Sequence, residues 1–437
     1  MHVLQNFYKL YKEYTRWKVI ARGFKITFWS LVCLIALAAS SLLANDYPEK
    51  VRIYTRPIEF DYITWTFQAI WQKTLQQSVR LEDYLPSPRP SEIVREYLKV
   101  ESQIGQLESE IAIIFADPSL DGKESALQNK KTQLDQVRKI KGVLAPIAES
   151  TLQEQIGVIL AENDLAFLGQ PVPPVLYHST PLPMALIVSP RDMIQQDANI
   201  SLLADMTAGD MSSLEDMVMK QLDVSALVVP VGGVGIYPTM VMATSDLSFL
   251  ADTVAHEWTH NYLTTRPLGL NYETNSELRT INETTASIVG VEIGHLLLKK
   301  YYPDFLPPEP EPDQVAKSGK ESKPVSAAPD EFNYRKEMHT TRVKVDELLA
   351  AGKKKEAEDY MEQRRLVLWE HGYPIRRLNQ AYFAFYGAYA DVPGGAAGKD
   401  PVGPSVRAFR SQSVNLAAFL EKISWVTSYP QLLGMVK

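Results

Sequence analysis

The sequence predicts an α+β chain that is mostly helical, with a small mixed sheet, an N-terminal transmembrane helix and a helical membrane-proximal region. Three observations carry this reading. An uncharged apolar run extends from Ile26 to Ala44, enough helix to cross a hydrocarbon layer of ~30 Å. From Asp61 to about Gly169, apolar residues recur at three and four spacing, as in Ile93, Tyr97, Ile104, Leu107 and Ile111. After Gly169, segments such as Val172 to Val188 and Ala226 to Val231 are rich in Val, Leu, Ile and Pro without helical period, and read as short strands.

The boundaries follow in order: a basic cytoplasmic segment over 1–25, the anchor over 26–44, a helical spacer or accessory region over 45–168, and a sheet with chemistry-bearing helices over 169–302. A flexible linker over 303–331 and a helical C-terminal lobe over 332–437 complete the chain. Lys9, Lys12, Arg16, Lys18, Arg22 and Lys25 precede the apolar run, and Asp46 and Glu49 follow it. The positive-inside rule then places the N-terminus in the cytoplasm and the rest outside it. A cleaved signal peptide ending near Ala39-Ser40-Ser41 is the competing reading. Pro86, Pro88 and Pro90 separate the first two helices of the accessory region, and Asp117-Pro118-Ser119 with Asp121-Gly122 reads as a helical-hairpin turn. Pro307, Pro308, Pro310 and Pro312 mark the linker.

Composition excludes several function classes. A net charge of -7 and no basic stripe leave no electrostatic footprint for nucleic acid. Cys33 is the single cysteine, so neither a disulfide framework nor a cysteine-based metal site can form. A metal would need histidine and carboxylate ligands.

Those ligand types meet in His256-Glu257-Trp258-Thr259-His260, on a helix expected to start at Ser245 or Asp246. Positions i and i+4 share one helical face, so both imidazoles can reach one ion. Downstream, Asn282-Glu283-Thr284-Thr285-Ala286 opens a second apolar helix, and Glu283 would complete a His₂Glu set with a fourth position left for water. Glu273 and Glu277 are the alternatives for the third ligand. The chemistry expected of such a set is zinc-dependent amide hydrolysis by a metal-activated water, with Glu257 as the base.

From Ile236 to His295 the chain resembles the gluzincins, the thermolysin-like zinc metallopeptidases whose third ligand is a glutamate on a following helix. The resemblance implies a zincin-like fold, Zn²⁺ held by His256, His260 and Glu283, catalysis by Glu257, and a peptide or protein substrate pairing along an edge strand at Ile236 to Met242. Two departures stand out. Ser287 occupies the position where such enzymes usually carry an Asp that orients the first histidine, and the spacing from the second histidine to the glutamate is a little longer. No Gly-Ala-Met-Glu-Asn exopeptidase motif is present, so endo and exo action stay open.

Transition-state stabilisation needs a donor aimed at the oxyanion. Tyr382, Tyr386 and Tyr389, at spacings of four and three, are the candidates, set against the plainer reading of a tyrosine stripe as core. Arg376, Arg377 and Arg407 are weaker ones. The alternative function is a non-enzymatic, membrane-anchored zincin-like scaffold or sensor that binds a partner through its helical region.

Overall fold

The computed structural model describes residues 23, 25–32, 47–79, 90–116, 123–306, 332–387, 398 and 400–436. The proline-rich break at 86–88, the hairpin turn at 117–122, most of the linker and Tyr389 lie outside the described residues. Two compact units are present, Met1–Ile53 and Tyr54–Lys437. In the first, residues 25–32 are helical, a stretch of ~12 Å at 1.5 Å per residue. No helix among the described residues is long and apolar enough to cross a membrane. The expected transmembrane helix, the membrane-proximal role of the helices after it, and the single-pass placement with a cytoplasmic N-terminus are corrected accordingly. The remainder of the apolar run, 33–44, lies outside the described residues.

Among the described residues the structure is 67% helical with small sheets. After α1 (Tyr47–Thr55) come α2 (Tyr62–Val79), α3 (Pro90–Ala116) and α4 (Lys123–Glu162). The three and four spacing read from the sequence becomes a buried seam between α3 and α4, where Val94, Tyr97, Ala148, Leu152 and Ile156 are almost fully enclosed. These helices do not stand apart. Their apolar faces share one core with Val254, Ala255, Trp258, Ile281, Val289 and Ile293 from the helices that carry the histidines and Glu283.

The strands form two sheets where one small mixed sheet was expected. β1 (Tyr177–Ser179), β2 (Met184–Pro190) and β3 (Ala198–Leu202) are followed by α5 (Ala208–Leu222), β4 (Val224–Pro230), β5 (Gly233–Val234) and β6 (Thr239–Val241). One sheet is antiparallel in the order β3-β2-β4. The other is mixed, in the order β1-β6-β5, with β1 parallel and β5 antiparallel to β6. β4 is buried over six successive residues, which accounts for its unbroken apolar run.

The remaining elements are helical: α6 (Leu247–Leu263), the single turn α7 (Pro267–Leu270), α8 (Ser276–Tyr301), α9 (Tyr334–Ala350), α10 (Lys354–Glu370), α11 (Gln380–Tyr386), α12 (Val402–Gln412), α13 (Leu416–Ile423) and α14 (Tyr429–Leu433). A second core joins Ile187 of β2 and Val229 of β4 to Met338, Met361 and Phe383 of α9, α10 and α11.

Three of the four sheet edges are closed. Residues 58–60 pair along β3, with Phe60 N donating to Ser201 O. Glu215 accepts from Val228 N at 2.7 Å and Arg376 donates to Val228 O at 3.0 Å, which blocks β4. From α4, Gln153 and Glu149 accept from Tyr177 N and Ser179 N and block β1. β5 has no neighbouring strand or side-chain cap on its outer side among the described residues. Open edges invite pairing, so this one is singled out. The edge strand expected at Ile236 to Met242 is therefore displaced. β6, within that range, is the central strand, and the free edge is Gly233–Val234.

Candidate metal centre

Asp246 caps α6 by accepting from Phe249 N, and Asn275 caps α8 by accepting from Leu278 N. The two helices then pack closely because glycines remove side chains at their crossing. A Cβ on Gly290 would lie 2.7 Å from Asp252 O and 3.2 Å from His256 Cβ. This close approach brings Glu283 beside the two histidines.

The ligand atoms form a small triangle. His256 Nε2 and His260 Nε2 are 3.1 Å apart, and Glu283 Oε2 is 3.5 Å from the first and 3.6 Å from the second. Ligands at ~2.0–2.1 Å from a tetrahedral zinc are roughly 3.4 Å from each other, so the three edges match one face of such a coordination sphere. Glu283 is 3% exposed, and its two oxygens differ. Oε1 accepts a hydrogen bond from the Tyr272 hydroxyl, whereas Oε2 is buried without a hydrogen-bond partner. An orphaned buried carboxylate oxygen facing two imidazole nitrogens fits a cation. Glu273 and Glu277, the alternative ligands, are exposed.

It is the second histidine, not the first, that has an orienting partner on α8. His260 Nδ1 donates to Asn282 Oδ1 at 2.9 Å, which turns the lone pair of Nε2 toward the triangle. Asn282 stands next to Glu283, so a single residue step on α8 furnishes both a ligand and the group that aims another. Burial lowers the His260 imidazole, but the Glu283 carboxylate outweighs it, and His260 is pushed up to about 9. Burial in turn raises Glu283, yet His260 and His256 hold it well below the usual carboxylate range.

Glu257 is 7% exposed, and burial pushes its carboxyl up. It lies against β5. A Cβ on Gly233 would come within 2.4 Å of Glu257 Oε1, and one on Gly235 within 2.9 Å of His260 Cβ and 3.1 Å of Glu257 Oε2. Glycine at both positions lets the open strand edge approach the base and ligand helix at backbone distance. A cavity of about 300 Å³ is lined by His256, Glu257, His260, Glu283, the β5 edge and residues of β2 and β3.

The tyrosine stripe divides. Tyr382 belongs to the second core, 9% exposed, its hydroxyl 2.9 Å from that of Tyr334, and it does not line the cavity. Tyr386 packs on Tyr382 at 4.5 Å between ring centroids and borders a separate hollow that also touches His256 and Glu257. Tyr389 lies outside the described residues. Arg376 and Arg377 are both engaged by the buried Glu215. Among the side chains that do line the cavity and that sequence reasoning passed over are Tyr62, Tyr272, Arg279 and Asn282. Asn282 was readable beside the glutamate; Tyr272 sits in a loop and Tyr62 far upstream, with no periodic signal.

No family model matches the chain, and neither a curated protein nor a solved structure is significantly similar to it.

Proposed function

We propose that this chain is a zinc-dependent peptidase that hydrolyses peptide bonds in extended substrates. The observation that carries the reading is the His256, His260 and Glu283 triangle with its orphaned Glu283 oxygen, set beside a second carboxylate, Glu257, that is not one of the three. A purely structural metal needs no such base.

His256 Nε2, His260 Nε2 and Glu283 Oε2 would hold the ion, which when bound supplies Lewis acidity to a water and to the scissile carbonyl. Glu257, buried and backed by Gly233 and Gly235, takes the water proton on its carboxylate and passes it to the leaving nitrogen. Asn282 holds His260 in one tautomer, and Tyr272 holds Glu283 in one rotamer. The open edge of β5 offers backbone groups to an extended peptide, so the chain to be cut is aligned as an added strand.

A second reading is a zinc-holding scaffold that binds a partner. It draws on α2, where Ile63, Phe67 and Trp71 share a face and are each about two-thirds exposed or more. Purified protein should carry one zinc per chain by metal analysis and cleave unfolded peptides. Glu257→Gln should keep the zinc and lose at least 100-fold in hydrolysis, while His256→Ala should lose both. Zinc-loaded protein with no cleavage of any peptide, unchanged by Glu257→Gln, would favour the scaffold.

A further inference from the structure

A buried cation lines the metal cavity with no carboxylate in ion-pair contact with it among the described residues. Arg279 is 8% exposed and lines the cavity together with Glu283. It precedes Glu283 by four residues on α8, so the two side chains rise from one face about one turn apart. Its Nη2 donates to the carbonyl of Ala384 in α11. Its Nε is buried with no hydrogen-bond partner, and no carboxylate stands within ion-pair distance of it among the described residues. Asp346 and Asp400 border a neighbouring hollow that Arg279 also touches, but the Asp346 carboxylate is taken by Arg342 and that of Asp400 caps the start of α12.

Physical chemistry makes this arrangement costly. A guanidinium stays charged at any physiological pH, and leaving one enclosed without a counter-ion destabilises the fold. Arg279 also lies in the first turns of α8, where the helix dipole disfavours positive charge. A neutral residue would serve the Ala384 contact at less cost. A guanidinium on the wall of a cavity, hydrogen-bonded to a single carbonyl, is instead suited to a planar carboxylate.

We infer that Arg279 is a specificity-determining residue that receives a carboxylate of the substrate about one helical turn from the metal ligands. This rests on the peptidase reading of the same site. The carboxylate is either the free C-terminus of the peptide, which would make the enzyme release short C-terminal fragments, or an Asp or Glu side chain close to the scissile bond.

The test uses two small zinc-binding probes in the zinc-loaded full chain, succinic acid monohydroxamate and its uncharged analogue in which the carboxylate is an amide. Calorimetry should show the carboxylate probe binding at least tenfold more tightly, and Arg279→Gln should erase that difference while the amide probe binds as before. Arg279→Lys, which keeps the charge should the glutamine variant fail to fold, should retain part of the preference. Equal binding of the two probes to the wild-type chain would overturn the inference and leave the metal centre standing. Failure to take up zinc at all would overturn both, and metal analysis separates the two failures. Cleavage of peptides with free and amidated C-termini then assigns the source. Loss on amidation marks the terminal carboxylate, persistence beside Asp or Glu marks the side chain, and cleavage indifferent to both would also overturn the inference.

Discussion

At the scale of single residues, the site is defined as much by what is absent from Gly233 as by what Glu257 carries. A methyl group at position 233 would occupy the space of the Glu257 carboxylate, with contacts of 2.4 Å to Oε1 and 2.8 Å to Cγ. Gly233→Ala should therefore displace the base while leaving His256, His260 and Glu283 in place. Displacements of ~1 Å cost on the order of 100-fold in rate, so peptide hydrolysis should fall by about that factor with zinc content unchanged. Wild-type activity in this variant would show that Glu257 is not held by the strand. The ligands themselves were legible in the sequence because i and i+4 histidines announce their shared face, and a glutamate opening an apolar helix announces another. Tyr272, Arg279 and Tyr62 were not. Each reaches the cavity through tertiary packing, and nothing local distinguishes them from other tyrosines and arginines. Tyr382 shows the converse, since its helical spacing reported burial in the second core, against which the partly buried Tyr386 packs.

Among elements, the crossing of α6 and α8 sets the geometry of the centre. Gly290 meets the backbone oxygen of Asp252, which cannot move without moving α6. Gly290→Ala should push the helices apart, destabilise the fold by about 1–3 kcal/mol and weaken zinc binding. Gly142 supplies the contrast. It lies inside α4 with nothing within 4 Å of an added Cβ, so Gly142→Ala should stabilise by about 0.5–1 kcal/mol. Thermal or denaturant unfolding with zinc titration checks both signs; two equal effects would contradict the packing argument. The strands were recognisable from their Val, Leu and Ile content, but their division into two sheets was not. Pairing partners are set by closure of edges through Glu215, Arg376, Gln153 and Glu149, contacts separated by many residues in the chain.

Over the whole molecule, the N-terminal helices are tied to the sheet beside the site by a buried ion group. Lys73 of α2 donates to Glu149 of α4, which is 1% exposed and also accepts from Ser179 N of β1 and contacts His178 Nδ1 at 3.1 Å. Burial raises the Glu149 carboxyl, but Lys73 and His178 outweigh it and hold it below its ordinary value. A carboxylate whose folded value is depressed contributes stability above its unfolded pKa and loses it as the pH falls through the folded value. Unfolding free energy should thus decline on acidification through the carboxylate range. Glu149→Gln should remove this part of the slope and cost about 3–5 kcal/mol at neutral pH by stranding Lys73. Parallel pH slopes for the two proteins would contradict the assignment. Helical periodicity over 61–169 announced the helices but not this link, because Lys73 and Glu149 meet only when α2 and α4 are folded together. The apolar stretch at 26–44 carries a composition fit for a membrane, yet no helix among the described residues is long and apolar enough to cross one.

The central claim is that three side chains of α6 and α8 hold a zinc ion beside Glu257. Diffraction from zinc-loaded crystals, recorded on either side of the zinc absorption edge, tests it most directly. The account predicts one anomalous peak per chain within about 2.0–2.2 Å of His256 Nε2, His260 Nε2 and Glu283 Oε2. No peak at that position, or one held by other side chains, would contradict it.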